Sequence, residues 1–229
     1  MYATVLPGQS GSMDAHTRTR VSLHAVAEGV LAGPQYERSG TIRLRVLQGG
    51  FGTITEPGLR VSGTDVVASD GRRAALTGTP RELAEALGVS YCVPDLYGDH
   101  AELGPHDPIA VDDLAAARIA AWFERGRQAL VTAAPGQQPV LWPEHFDLAV
   151  TADEVNLGVS PGDGFSADPY AYVGPWDFDA SAQGYADSPF WSAPFGAVLP
   201  MAAAPDAGAL ARFFRTGLTF VAQRRRQET

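Results

Sequence analysis

The chain contains no lysine. All 17 basic residues are arginine, against 26 carboxylates, and the formal net charge is −9. Apart from Arg224-Arg225-Arg226 there is no basic stripe, which argues against nucleic acid as the main partner. Those three arginines are placed to complement the C-terminus of a helix. Cysteine is almost absent as well. Cys92 stands alone, so no internal disulfide can form, and a reducing compartment, the cytoplasm, fits best. Long apolar runs are missing: none approaches the ~20 residues of a membrane span, so no membrane partner is expected. Met1 to Gly11 lacks the basic start and apolar core of a signal peptide. Residues 1–19 read as a flexible leader, within which Met13 could be the authentic start.

What remains is globular in composition. The 229 residues are 45% hydrophobic and 19% charged, enough to bury a real core in one large domain or two small ones. Helical periodicity is clearest at 112–134, where Asp112 or Asp113 caps a stripe of Ala115, Ile119, Trp122, Gly126 and Leu130. A second long helix, 206–224, starts at Pro205-Asp206 and buries Leu210, Phe213, Phe214, Gly217 and Val221. Val21 to Leu31 predicts a shorter helix ending before Pro34, with His24 beside its apolar stripe. Thr79-Pro80-Arg81-Glu82 is a capping box with proline in the first turn, and Gly88 closes that helix.

Strand patterns fill the space between. Ile42, Leu44 and Val46 alternate with Arg43 and Arg45 over 41–47. Gly49-Gly50-Phe51-Gly52 is followed by no helix start, so it reads as a turn or bulge rather than a phosphate loop. Short strands at 59–61, 66–68 and 74–76, with Asp70-Gly71 as a hairpin pair, make an antiparallel meander. Tyr91 to Asp107 is an irregular acidic loop holding His100 and His106 beside Asp99 and Asp107. Pro135 to Pro139 is the best linker. The expected fold is α+β: a mainly antiparallel sheet, or sheets, packed against the helices at 112–134 and 206–224. Residues 20–229 form a single domain or two β-rich subdomains, 20–134 and 139–229.

The polar groups able to do chemistry concentrate between Trp142 and Asp163. Phe146, Leu148 and Val150, then Val155, Leu157 and Val159, alternate as two strands of a hairpin, with Thr151-Ala152-Asp153 as its turn. With Val150 opposite Val155, all the apolar side chains share one face. The other face carries His145, Asp147, Asn156 and Ser160, with Gly158 opposite Asp147, leaving open space above the sheet. The turn Ser160-Pro161-Gly162-Asp163 could swing the Asp163 carboxylate over that face. Downstream, Tyr170, Tyr172, Trp176, Phe190 and Trp191 could wall a pocket above this floor.

Four strings, Leu-Trp-Pro-Glu-His-Phe-Asp (141–147), Val-Asn-Leu-Gly-Val-Ser-Pro-Gly-Asp (155–163), Pro-Tyr-Ala-Tyr-Val-Gly-Pro-Trp (169–176) and Phe-Trp-Ser-Ala-Pro-Phe-Gly-Ala (190–197), carry a resemblance. With Gly-Gly-Phe-Gly-Thr (49–53), the chain resembles, over roughly 20–222, a family of uncharacterised proteins common in high-GC actinobacteria. The resemblance implies no activity, and no catalytic residue comes with it.

The chemistry therefore rests on the residues. Gly158-Val-Ser160-Pro-Gly162 has the form of a nucleophile elbow, but Pro161 has no N–H to give an oxyanion hole and no helix follows. His145 and Asp147, two apart on a strand, would stand side by side as a general acid/base dyad, with Asn156, Ser160, Asp163, Tyr170, Tyr172, Trp176 and Trp191 binding the ligand. That predicts a cytoplasmic protein binding a small molecule, and an enzyme if His145 acts as base. Its acidic floor favours a neutral or cationic ligand. One alternative is a metal-dependent enzyme in which Asp163, Glu154 or an earlier histidine completes a His/carboxylate site. Another is a non-catalytic module whose aromatic segment is an interface. No motif names a cofactor or sets the oligomeric state.

Overall fold

The computed structural model describes residues 13–98 and 100–227. Its centre is one sheet of ten strands, every neighbouring pair antiparallel. In chain order these are β1 (Leu44–Leu47), β2 (Gly50–Thr53), β3 (Leu59–Ser62), β4 (Asp65–Ala68) and β5 (Arg73–Ala75), then β6 (Val140–Trp142), β7 (Asp147–Ala152), β8 (Val155–Ser160), β9 (Tyr170–Pro175) and β10 (Ala197–Pro200). The spatial order is β10-β9-β8-β7-β6-β1-β2-β3-β4-β5. The two β-rich parts thus meet where β1 pairs β6, at the single register position Leu44–Leu141.

Two long helices back this sheet, as expected for an α+β fold. α4 (Asp113–Ala133) is capped by Asp112, whose Oδ1 accepts from the Ala115 N–H at 2.9 Å, and it covers β1, β2, β7 and β8. α5 (Ala207–Gln227) packs against α4 and β9. Each helix carries a glycine at its closest approach to the sheet. A Cβ on Gly126 would lie 2.4 Å from Val159 Cγ2, and one on Gly217 would lie 2.6 Å from Val173 Cγ1. A mid-helix glycine costs about 1 kcal/mol, and here it lets helix and strand touch. Arg225 of α5 also donates to the Asp153 carbonyl at 2.7 Å, so the basic end of this helix holds the β7–β8 turn.

The first helical region departs from expectation. α1 (Ala15–Ala25) starts six residues before Val21, capped by Asp14 Oδ1 accepting from the Thr17 N–H at 2.9 Å. Of the expected leader 1–19, the first twelve residues lie outside the described residues, whereas 15–19 are helix and Thr19 is fully buried. The helix does not stop before Pro34 either. A π-helical stretch, Val26–Ala32, widens the backbone, and α2 (Gly33–Ser39) restarts with Pro34 in its first turn, where no N–H is required. Buried Gln35 then ties helix to sheet: its Nε2 donates to the Thr41 and Arg43 carbonyls, both at 2.9 Å, and its Oε1 accepts from the Ile54 and Thr55 N–H groups. The short helix α3 (Pro80–Ala86) has the expected capping box of Thr79 and Glu82. Among the described residues no helix is long and apolar enough to cross a membrane.

The central hairpin has its faces as expected but its pairing slid by two. Val150 pairs Leu157 and Leu148 pairs Val159, and the turn is Asp153-Glu154 rather than Ala152-Asp153. Both turn residues are left-handed, with φ of 49° and 59°, as a two-residue type I′ turn requires. Because the slide is even, Leu148, Val150, Val155, Leu157 and Val159 still share the buried face. Gly158 now sits opposite Ala149 and Tyr172 rather than Asp147.

Candidate functional site

On the sheet face turned away from α4 and α5, the alternation brings Asp147, Ser160, Tyr170 and Tyr172 to one end of β7, β8 and β9. Gly158 decides what lies above them. It pairs Tyr172, and a Cβ there would come within 2.4 Å of the Tyr172 Cζ and Oη atoms. The space expected over this glycine is therefore filled by the Tyr172 ring, whose hydroxyl donates to Asp147 Oδ2. Asp147 is 7% exposed, and its other oxygen, Oδ1, has no hydrogen-bond partner among the described residues. Burial pushes the Asp147 carboxyl up to about 6; the Tyr172 hydrogen bond and nearby His145 oppose the rise, and Glu144 and Asp163 add to it. Burial also raises the Tyr172 phenol, with Asp147 second, so Tyr172 keeps its proton and donates.

Asp163 is a different kind of carboxylate. Its Oδ2 accepts from the Tyr170 hydroxyl at 2.6 Å and from Ser160 Oγ at 3.1 Å, and its Oδ1 accepts from the Phe165 and Ser166 N–H groups. Ser160 Oγ in turn accepts from the Gly162 N–H at 3.1 Å. Both groups are committed to building the β8–β9 turn, so Ser160 is not a free nucleophile. Trp122 of α4 donates to the Ser160 carbonyl at 2.9 Å, and His16 Nε2 contacts the Pro161 carbonyl at 2.7 Å, so the turn is anchored from two helices.

The facing wall comes from α1 and a distant loop. Arg20, His24 and Glu28 recur every four residues along the first helical region. Glu28 is buried and holds the loop with both oxygens: Oε1 to His100 Nδ1 at 2.8 Å and Oε2 to the Ala101 N–H at 2.9 Å. Arg20 reaches Glu102 of the same loop at 3.4 Å. Asp99, next to His100, lies outside the described residues. His24 stacks on Phe146, rings 5.6 Å apart and within 10° of parallel. Burial pushes the His24 imidazole pKa down, Glu28 opposes this and Arg20 adds to it.

The result is a cleft of about 730 Å³ in which Arg20, His24, His100 and Glu102 face His145, Asp147, Ser160, Asp163, Tyr170, Tyr172 and Phe195. Of the residues nominated from the sequence, His145, Asp147, Ser160, Asp163, Tyr170 and Tyr172 share it. Asn156, Trp176 and Trp191 do not. Asn156 is on the correct face, but four residues from Ser160 is about 13 Å along a strand. There its Oδ1 accepts from Thr151 Oγ1 and Trp176 Nε1, and Trp176 is 66% exposed. Trp191 is buried between Tyr185, Phe190 and Phe220, with centroids 4.9, 5.0 and 5.2 Å away, because the 178–191 segment folds back onto α5. His145 also departs from the expected dyad. Phe146 has φ 50°, which takes His145 off the strand into the turn 143–146, exposed at the cleft, and Tyr172 hydrogen-bonds Asp147 in its place.

Family models, curated proteins and solved structures were compared with the chain. None matches. Among the described residues there is no cluster of three or more histidine, cysteine or carboxylate side chains arranged to hold a metal. Arg20, Glu28 and Glu102 were not singled out from the sequence, and His24 and His100 stood there only as histidines beside an apolar stripe and in an acidic loop. The one local signal was the four-residue spacing of three polar groups in an otherwise apolar helix.

Gly158→Ala tests this construction. The added methyl must push the Tyr172 ring aside, so the variant is expected to lose about 1–3 kcal/mol of stability in urea denaturation. It should also raise the Asp147 pKa further, since the Tyr172 hydrogen bond holds it down. Unchanged stability together with an unchanged carboxyl titration by NMR would refute the placement of Tyr172 over Gly158.

Proposed function

We propose that the cleft binds a small organic molecule and that Asp147, hydrogen-bonded by Tyr172, is the acid–base group that meets it. The observation that carries this reading is the Asp147 carboxyl itself: buried at the cleft, raised to about 6, with one oxygen uncommitted. A base whose pKa lies near neutrality is the more effective for proton transfer, and perturbed carboxyls in clefts mark functional sites more often than chance. The reading moves the acid–base role from His145 to Asp147 and leaves His145 as a group at the rim. The volume fits a drug-sized or smaller ligand. The interface alternative has less support, because the aromatic segment packs Tyr185, Phe190 and Trp191 against α5 rather than displaying them. A cytoplasmic location belongs to the same reading and rests on the single, free Cys92.

An unbiased fragment screen followed by NMR shift mapping tests the proposal. Binders are expected to shift the amides of Gly158, Tyr172 and His145, and to weaken about tenfold or more in Asp147→Asn if they hydrogen-bond the carboxylate. Binders that map consistently elsewhere, or a screen that leaves those amides unmoved, would sink it.

A further inference from the structure

We infer that the ligand of this cleft is a small organic anion with a flat apolar body, its carboxylate or phosphate seated on the guanidinium of Arg20. The inference rests on the reading of the cleft as a ligand site and adds the ligand's charge and the residue that selects it.

Three side chains lining the cleft are each more than nine-tenths buried, and each leaves a polar atom without a partner among the described residues: Arg20 Nε, His24 Nε2 and Asp147 Oδ1. Native proteins rarely leave buried polar groups unpaired, and a charged one is the most costly to leave so. Arg20 is the extreme case. Its one carboxylate contact among the described residues is Glu102 at 3.4 Å, through a single nitrogen, and the Glu102 side chain is 64% exposed. A long contact to a solvated carboxylate contributes little, and it engages Nη2 while leaving the Nε–H of the planar guanidinium unspent. The guanidinium edge that carries this N–H matches a carboxylate or phosphate with two parallel hydrogen bonds.

The surroundings sharpen the class. The chain carries a net charge of −9, so its overall field repels anions and a local cation must do the selecting. His24 is beside Arg20 and burial disfavours its charged form, which makes it a neutral hydrogen-bonding partner for the same headgroup. Across the cleft, Asp147 and Asp163 form the acidic floor that by itself favours a neutral or cationic ligand; they would repel an anionic head from that end, and Asp147 would accept from a hydroxyl or N–H of the body. The anion is thereby oriented, head toward α1 and body toward β7–β9. Tyr170, Tyr172 and Phe195 line that end and offer aromatic surface to a flat body.

The probes are benzoate, phenyl phosphate, benzamide and benzylamine, titrated by calorimetry and saturation-transfer NMR at pH 7.5 into the full chain, Arg20→Gln and Glu102→Gln. At least one of the two anions is expected to bind, and which is preferred assigns carboxylate or phosphate as the headgroup. Arg20→Gln should weaken that anion at least tenfold while leaving benzamide unchanged. Glu102→Gln, at an exposed position, should tighten it a few-fold by releasing the competing carboxylate. Benzamide or benzylamine binding as tightly as the anions, with the cleft amides shifting, would overturn the anion assignment and leave the ligand site standing. If none of the four probes and no fragment moves those amides, the ligand site falls and the inference with it. Should Arg20→Gln fail to fold, Glu102→Gln decides, since unchanged anion affinity there contradicts a shared guanidinium.

Discussion

Phe146→Ala is expected to cost about 3–5 kcal/mol, the range for emptying a well-packed aromatic site. Phe146 is 1% exposed. Its ring meets Phe51 of β2 at 5.4 Å and Phe123 of α4 at 5.4 Å, both edge to face, and stacks with His24 of α1. One side chain therefore joins the sheet, the long helix and the first helix, and little of the lost contact can be recovered by relaxation of any single element. The backbone leaves that range unchanged. At φ 50° a non-glycine residue is strained by about 1 kcal/mol or more, and alanine keeps that strain while giving up the packing that holds it. The consequence reaches the cleft, because Phe146 separates His145 from Asp147 and supports the His24 ring. Urea denaturation of the variant is the measurement. A loss below 1 kcal/mol would mean that the ring is not the junction described.

The same residue shows what the sequence could and could not disclose. Its burial was legible from alternation, since Phe146, Leu148 and Val150 repeat with period two; its left-handed backbone was not, because nothing in Glu-His-Phe-Asp marks a turn. The β7–β8 turn is the same case: Asp153-Glu154 makes a type I′ turn without glycine, so the pairing was misplaced by two residues. The faces survived because strand alternation is insensitive to an even slide. α4, α5 and the Thr79 capping box were legible because caps and helical stripes are local. Pro34 misled because a π-helical stretch is set by packing around Val26–Ala32 and leaves no local mark. The cleft divides on the same principle. The β7–β9 wall lies within 142–172 and was read from spacing; Asn156 and Trp176 were lost only to distance along the strands. The opposite wall depends on contacts spanning 72 residues from Glu28 to His100 and 82 from Arg20 to Glu102, and no single-sequence pattern records such pairings.

Asp147→Asn is expected to stabilise the protein at pH 8. The Asp147 carboxyl is raised to about 6 in the folded state, from an ordinary value of 3.8, and burial is the main cause. A carboxyl raised on folding binds its proton more tightly in the native chain than in the unfolded one. Its favourable contribution is therefore complete below about pH 4 and is lost as pH rises through about 6. Above that, keeping the charge buried costs on the order of 3 kcal/mol. Asparagine has the same shape and its carbonyl still accepts from Tyr172, while the buried charge is gone; imperfect pairing of the new amide N–H₂ takes back part of the gain. The expected gain is about 1–3 kcal/mol at pH 8, shrinking between pH 6 and 4. Urea denaturation of both proteins at pH 5 and pH 8 reads it. An Asp147→Asn variant that is less stable at both pH values would show that the charge is met by a structural partner, and the acid–base proposal would lose its footing. The expected outcome has a sharper meaning. A chain that keeps a destabilising carboxylate where an isosteric amide would serve the fold better is holding the charge for something other than folding, and the cleft that Asp147 lines is where that use would be made.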